Sequence, residues 1–270
     1  MPRNEAGQSA VEWSALVLLV ALVVAGLGFG ATRLDVRGLG DALVGAIVCV
    51  IGDACPAGSL EDAYGSELAH TLRRYAPNIV YERRSAQLPV DFRRCRAVDC
   101  SNGSDRPASI DESDLGLPVT VFTHVIDRRR ESGSLYLQYW LYFPESFSGG
   151  IGRTLGPVSD RWPGFHPDDW EGVQLRVGPE NRVAARATAH GEYKNFKHSN
   201  GWGPWTGWYR VSGGSHAGHL VDGPTGERST PASDIRLVPL ESLANTDVQH
   251  FEVAPPWQKV VYRDPESDSS

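Results

Sequence analysis

Three residues near the middle of the chain combine types that can bind a cation. His166, Asp169 and Glu171 form an H-x-x-D-x-E cluster within GFHPDDWEGVQLRV, residues 164 to 177. Val173, Leu175 and Val177 alternate with Gln174 and Arg176, the two-residue period of a half-buried strand. Extended backwards, that period puts Glu171 and Asp169 on the apolar face. Charge there is costly unless a partner compensates it. Two carboxylates and one imidazole are an incomplete, oxygen-rich metal shell. It suits Ca²⁺ or Mg²⁺, with Mn²⁺ as a third choice, over Zn²⁺. Waters or a further His would complete it. The plainer alternative pairs the acids with arginines such as Arg176 or Arg186 and leaves His166 a loop residue.

Further residues converge on the same stretch. His216 lies in SGGSHAGH, where glycines permit a sharp turn beside the site; the alternative is a turn-stabilising His. His190 ends the ATAH strand and is a further candidate to face the same mouth, the alternative being a strand-end residue with no part in the site. Asp168 and His216 are candidate general bases. NGWGPWTGWY carries Trp202, Trp205 and Trp208, either as core or as an exposed aromatic patch for a lipid or glycan. The near-elbow Gly213-x-Ser215-x-Ala217 lacks the strand–turn–helix context that a nucleophile needs.

The elements that must position these residues read mainly as strands. Residues 119 to 125, 134 to 143, 170 to 177, 182 to 190, 207 to 213 and 235 to 240 carry strand patterns separated by turn residues. One helix is predicted over 61 to 76, capped by Ser59 and stopped before Pro77. A long loop joins Pro144 to Pro167, a length that points to function. No strand–helix–strand rhythm appears, so the expected fold is an antiparallel β-sandwich over residues 60 to 262. The acidic, Ser-rich tail 263 to 270 is expected to be disordered.

The bulk properties narrow the classes. The 270 residues suffice for one large β domain with appendages, or for two small domains. A formal charge of -7 argues against a nucleic-acid partner. Eight Trp and one Met favour a rigid, aromatic-anchored β protein. Cys49 with Cys55 and Cys95 with Cys100 are close pairs without CxxC spacing. They read as two local disulfides of an oxidising compartment or as free thiols.

Residues 14 to 31 are uncharged and nearly all apolar, between Arg3 and Arg33. Within a leader segment 1 to 33 this reads as a membrane-spanning helix, with a secretory signal as the competing reading. Residues 34 to 59 follow as an amphipathic helix on the membrane. Its apolar positions are Leu39, Leu43, Ile47 and Val50, after Asp41 as cap, and it ends in the Cys loop and a Pro/Gly/Ser linker. The bulk of the chain is then expected outside the cytoplasm, at the cell surface.

Two resemblances extend this reading. GQSAVEWSALVLLV resembles the class III signal of type IV pilins, particularly those of tight-adherence systems. The likeness implies cleavage after Gly7, Glu12 at the fifth mature position, and a pilus or secretion machinery as partner. A plain single-pass anchor is the alternative. Separately, LAHTLRRYAPNIVYERRSAQLPVDF, YLQYWLYFPESF and YRVSGGSHAGH resemble the vacuolar protein sorting-associated protein 62 family over residues 68 to 220. YWLYFPES, HPDDWEGVQLRV and ATAHGEY resemble the necrosis- and ethylene-inducing-like toxins, which are cytolytic β-sandwiches. In those toxins the matching His, Asp and Glu bind a divalent cation, which implicates His166, Asp169 and Glu171. The toxins carry a second His where this chain has Asp168.

The sequence thus predicts a membrane-anchored module that binds a glycan or lipid headgroup through a divalent cation, in the form of a membrane-damaging effector if the toxin likeness extends to function. A metal-dependent hydrolase and a pilin-like structural subunit are the alternatives, and enzymatic activity is left open.

Overall fold

The computed structural model describes residues 58–82, 88–93, 118–147, 165–189, 192–193, 197–198, 207–224, 228–243, 251 and 253–268. Every described residue belongs to one compact unit, residues 57–270. The expected leader with Gly7 and Glu12, the spanning and amphipathic helices, all four cysteines, His190, Trp202 and Trp205 lie outside the described residues. Among the described residues no helix is long and apolar enough to cross a membrane.

Helix α1 (Leu60–Tyr75) begins at a reciprocal cap. The Ser59 hydroxyl accepts from the Asp62 N–H at 3.1 Å, and the Asp62 carboxylate accepts from the Ser59 N–H at 3.1 Å. Gly65, at φ +76°, breaks the expected continuous helix into two pieces. Its inner side buries Ala69, Leu72 and Tyr75.

Eleven strands follow among the described residues. They are β1 (Asn78–Tyr81), β2 (Thr120–Arg128), β3 (Ser134–Phe147), β4 (Phe165–Val177), β5 (Val183–Ala189), β6 (Glu192–Tyr193), β7 (Lys197–His198), β8 (Trp208–Val211), β9 (Gly218–Val221), β10 (Arg228–Thr230) and β11 (Arg236–Pro239). They build a four-stranded sheet in the order β10-β1-β8-β9. The larger sheet runs β11-β2-β3-β4-β5-β6, with β7 also paired to β5. The expectation of purely antiparallel sheets is corrected, because β1 pairs with β8 and β11 with β2 in parallel. Both pairs join strands distant in sequence, and the long connections between them are what parallel pairing requires.

β3 explains where the core sits. Leu135, Leu137, Tyr139, Leu141 and Phe143 face one cluster, shared with α1, β1 and β8. Trp140 and Tyr142 face a second cluster on the other side, with Trp170, Tyr193 and Val261. Burial on both faces is why SLYLQYWLYF reads as a nearly continuous apolar run. β3 and β4 pair from Leu135↔Val177 to Phe147↔Phe165. The loop expected from Pro144 to Pro167 is therefore strand at both ends. The pairing skips Pro144 and Asp168. Pro144 has no N–H to offer, and Asp168 sits at φ +56°.

The C-terminal segment crosses the second face of the large sheet. Gln138 Nε2 donates to Val261 O at 2.8 Å, Gln174 Nε2 to Pro265 O at 3.1 Å, and Arg186 Nη2 to Pro265 O at 2.6 Å and Ser267 O at 2.8 Å. Tyr193 N–H donates to Asp268 O at 3.0 Å. The tail through Asp268, expected to be disordered, is thus fastened by a buried polar row on β3, β4 and β5. Backbone carbonyls carry these bonds, and tail composition does not report them.

Candidate functional site

β4 and β5 part company where the acids begin. Their ladder ends at Val173↔Ala187. The next β4 amide, Gly172 N–H, donates to the Thr188 hydroxyl at 2.6 Å instead of to a β5 carbonyl. Gly172 has no side chain for a reason. A Cβ there would stand 2.9 Å from Tyr193 Oη and 3.0 Å from Trp140 Cε3. Beyond this point β4 pairs with β3 alone.

Asp169 and Glu171 lie on that singly paired stretch, opposite Phe143 and Leu141 of the first core cluster. The face expected from the two-residue period is the face observed. Both acids are buried. Thr188 Oγ1 donates to Glu171 Oε2. Asp169 Oδ2 accepts from His216 Nδ1 at 2.9 Å.

His216 is delivered by the β8–β9 turn, where it holds φ +51°. His is among the residues that tolerate this region. Its ring is wholly buried and stacks on Phe143, with centroids 4.0 Å apart and planes 5° apart. A carboxylate only accepts, so Nδ1 carries the proton and the neutral ring presents Nε2 as a lone pair. Among the described residues Nε2 has no hydrogen-bond partner. The buried imidazole thus keeps one ring nitrogen open, and Asp169 orients the ring from the opposite nitrogen.

Two further groups complete the surroundings, and sequence reading missed both. The Tyr209 ring reaches the site because β9 carries Gly218, where a Cβ would stand 2.3 Å from Tyr209 Oη. Burial pushes the Tyr209 hydroxyl well above the usual tyrosine range, and the Glu171, Tyr193 and Asp169 charges push the same way. Lys259 lies on the C-terminal segment and is also buried. Burial lowers its pKa, while Glu171 and then Asp169 act to raise it.

The structure does not gather every predicted residue. His166 turns Nδ1 to its own backbone, 3.1 Å from Asp168 O and 3.3 Å from Pro167 O. Asp168 accepts from the Tyr142 hydroxyl at 2.6 Å, on the side of the second cluster. The arginine partners expected for the acids bond elsewhere. Arg176 meets Glu266 at 3.0 Å, and Arg186 donates to Gln174 Oε1 at 2.8 Å and to the C-terminal carbonyls. Among the described residues no group of three or more His, Cys, Asp or Glu stands in metal-binding array. Trp208 lies in β8, half-buried. No protein-family model, no curated protein and no solved structure matches this chain.

Proposed function

We propose that this domain is an extracytoplasmic binding module for a glycan or lipid headgroup, working with a divalent cation held at Glu171 and His216 Nε2, with Asp169 orienting the imidazole. One observation carries the reading. The His216 imidazole is buried with Nδ1 held by the Asp169 carboxylate, and its Nε2 has no hydrogen-bond partner among the described residues. A bound divalent ion would neutralise the Asp169 and Glu171 carboxylates and offer open positions to hydroxyl or phosphate oxygens of a headgroup. The toxin-like H-x-x-D-x-E stretch supports the same assignment, although His166, on β4, turns its Nδ1 to its own backbone. The two sheets, sharing one apolar cluster, are read here as a β-sandwich, and the pilin-like leader as the device that anchors it outside the cytoplasm.

The test uses the full chain with Mg²⁺, Ca²⁺ or Mn²⁺. Phosphatidylcholine vesicles, anionic vesicles and a glycan panel are screened with and without EDTA, beside Asp169→Asn and Glu171→Gln. The expected result is binding that chelation abolishes and both variants lose. Binding indifferent to EDTA and to both substitutions overturns the proposal.

A second reading has its own observation. Asp169, His216 and the open Nε2 have the order of an acid–base dyad, in which a carboxylate orients an imidazole. Turnover of generic phosphoesters or glycosides by the full chain in EDTA, lost in His216→Ala, would select a hydrolase instead.

A further inference from the structure

Four polar contacts run in line from α1 to the C-terminal segment, away from the β4 acids. The Tyr64 hydroxyl of α1 lies 2.7 Å from Thr123 O and also meets Glu241 Oε2. Glu241 belongs to the 3₁₀ turn Leu240–Ser242, which follows β11. Its other oxygen, Oε1, meets Nδ1 of His124 on β2. His124 Nε2 then lies 2.9 Å from Tyr262 O, in the 3₁₀ turn Val260–Tyr262. The His124 ring also stacks on the Tyr262 ring, with centroids 3.7 Å apart and planes 11° apart. The imidazole is only 12% exposed, so both of its nitrogens depend on these partners.

Each contact needs one hydrogen. Backbone carbonyls and an ionised carboxylate only accept. Tyr64 brings one hydrogen and faces two acceptors, Thr123 O and Glu241 Oε2. A neutral imidazole brings one hydrogen and also faces two acceptors, Glu241 Oε1 and Tyr262 O. Two hydrogens then serve four contacts, and one acceptor looks at a bare ring nitrogen. The imidazolium brings two hydrogens and satisfies both of its partners at once. The titratable groups against the ring come from three elements: Glu241, Tyr262, and Tyr64 through the shared carboxylate. Across the β2–β3 ladder His124 faces Gln138, which is uncharged. Burial, and then the Glu241 charge, hold the Tyr64 and Tyr262 hydroxyls above the ordinary tyrosine range, so both stay neutral while an imidazole titrates.

Three consecutive carbonyls of the C-terminal segment are held by side chains of the large sheet. Val261 O accepts from Gln138 Nε2 at 2.8 Å, Tyr262 O lies against His124 Nε2, and Arg263 O accepts from Arg128 Nη2 at 3.2 Å. Of the three holders, His124 alone changes its number of hydrogens near neutral pH, since an amide does not titrate and a guanidinium stays charged. We propose that His124 is a proton-operated clasp for this segment. Doubly protonated, it ties Tyr262 to Glu241 and, through Glu241, to α1. On losing one proton it lets go of one partner and loosens residues 256–264 from the large sheet. Histidine ordinarily changes charge between about pH 5 and 8. A bond made only by the protonated form is present on the acid side of that window and lost as pH rises through it. Gln138 and Arg128 keep their bonds throughout, so the release is local. The clasp needs no ion at Glu171.

The experiment is amide hydrogen exchange of the full chain at about pH 5.5 and about pH 8, the two sides of the histidine window, with rates corrected for the intrinsic pH dependence of exchange. Amides of residues 257–264 are expected to lose about tenfold in protection at the higher pH, measured against those of β3, the scale of one hydrogen bond to a charged group. His124→Phe keeps a ring to stack but cannot titrate, and should show low protection at both pH values. Glu241→Gln should show high protection at both. Its amide can donate to a neutral Nδ1 while the Nε2 hydrogen still reaches Tyr262 O. The two variants thus remove the pH response in opposite directions, which loss of a merely structural contact would not do. Equal protection of the parent at the two pH values overturns the clasp. So does a pH response that persists in both variants. Glu241→Gln carries the comparison if His124→Phe does not fold.

Discussion

His216 Nδ1 lies 2.9 Å from Asp169 Oδ2, although 47 positions separate the two residues. The contact joins the β8–β9 turn to the free end of β4, so it ties the two sheets at the candidate site. It also fixes which imidazole nitrogen is open.

The contact is testable by stability. His216→Ala removes the Phe143 stack and leaves the Asp169 carboxylate buried without its donor. Unpairing a buried charge costs about 3–5 kcal/mol. His216→Asn should cost less, because Asn tolerates the left-handed backbone and can still donate. Urea unfolding measures both. A loss under about 1 kcal/mol for His216→Ala would mean that Asp169 is solvated or differently paired.

Much of this site was readable because two rules are local. A two-residue period assigned Asp169 and Glu171 to the core face, and glycines on either side of His216 marked a turn able to swing it inward. Asp168 obeys the same rule, one residue off Asp169 and so on the opposite face with Tyr142, and the base role read for it from its chemistry does not join the two acids. Lys259 and Thr188 were illegible for another reason. Lys259 lies in a stretch of short 3₁₀ turns without periodicity, and Thr188 acts only because a ladder ends one residue early. The parallel pairs were hidden likewise, because strand patterns carry no direction.

Gly218→Ala should damage the site from a distance. The added Cβ would overlap the Tyr209 ring, with Cε2 at 2.5 Å and Oη at 2.3 Å. Overpacking of this kind costs about 1–3 kcal/mol. Tyr209→Leu should cancel most of that cost in the double variant, because the clashing atoms are gone. Additive losses would show that the strand, and not the ring, resists the methyl group.

Alkaline pH should unfold the domain in one step. Burial holds Tyr64, Tyr81, Tyr139, Tyr193 and Tyr209 above the ordinary range, with the Glu241 charge adding to Tyr64. In the unfolded chain these groups lose protons near pH 10. Below that pH both states keep them, and the stability is intact. Above it the unfolded state ionises first and stability falls as pH rises. Lys259 acts oppositely between its lowered pKa and about 10.4, but it is one group against five. Tyrosinate absorbance and circular dichroism should change together above pH 10. Gradual ionisation with intact dichroism would show that the hydroxyls reach water in the native state.

Arg186 should decide whether the C-terminal segment belongs to the fold. The guanidinium is buried, stacks 4.5 Å from the Tyr193 ring and donates to Gln174, Pro265 O and Ser267 O. Removing residues 264–270 strips two of those acceptors and leaves a buried charge short of partners, a loss of about 3–5 kcal/mol. Arg186→Met alone leaves Gln174 Oε1 and Ser267 O short of a donor, while Pro265 O keeps Gln174 Nε2, at about 1–3 kcal/mol for each buried group left unsatisfied. The two changes break the same bonds, so the double variant should cost far less than their sum. Additive losses in urea unfolding would instead assign the tail a stabilising contact independent of Arg186.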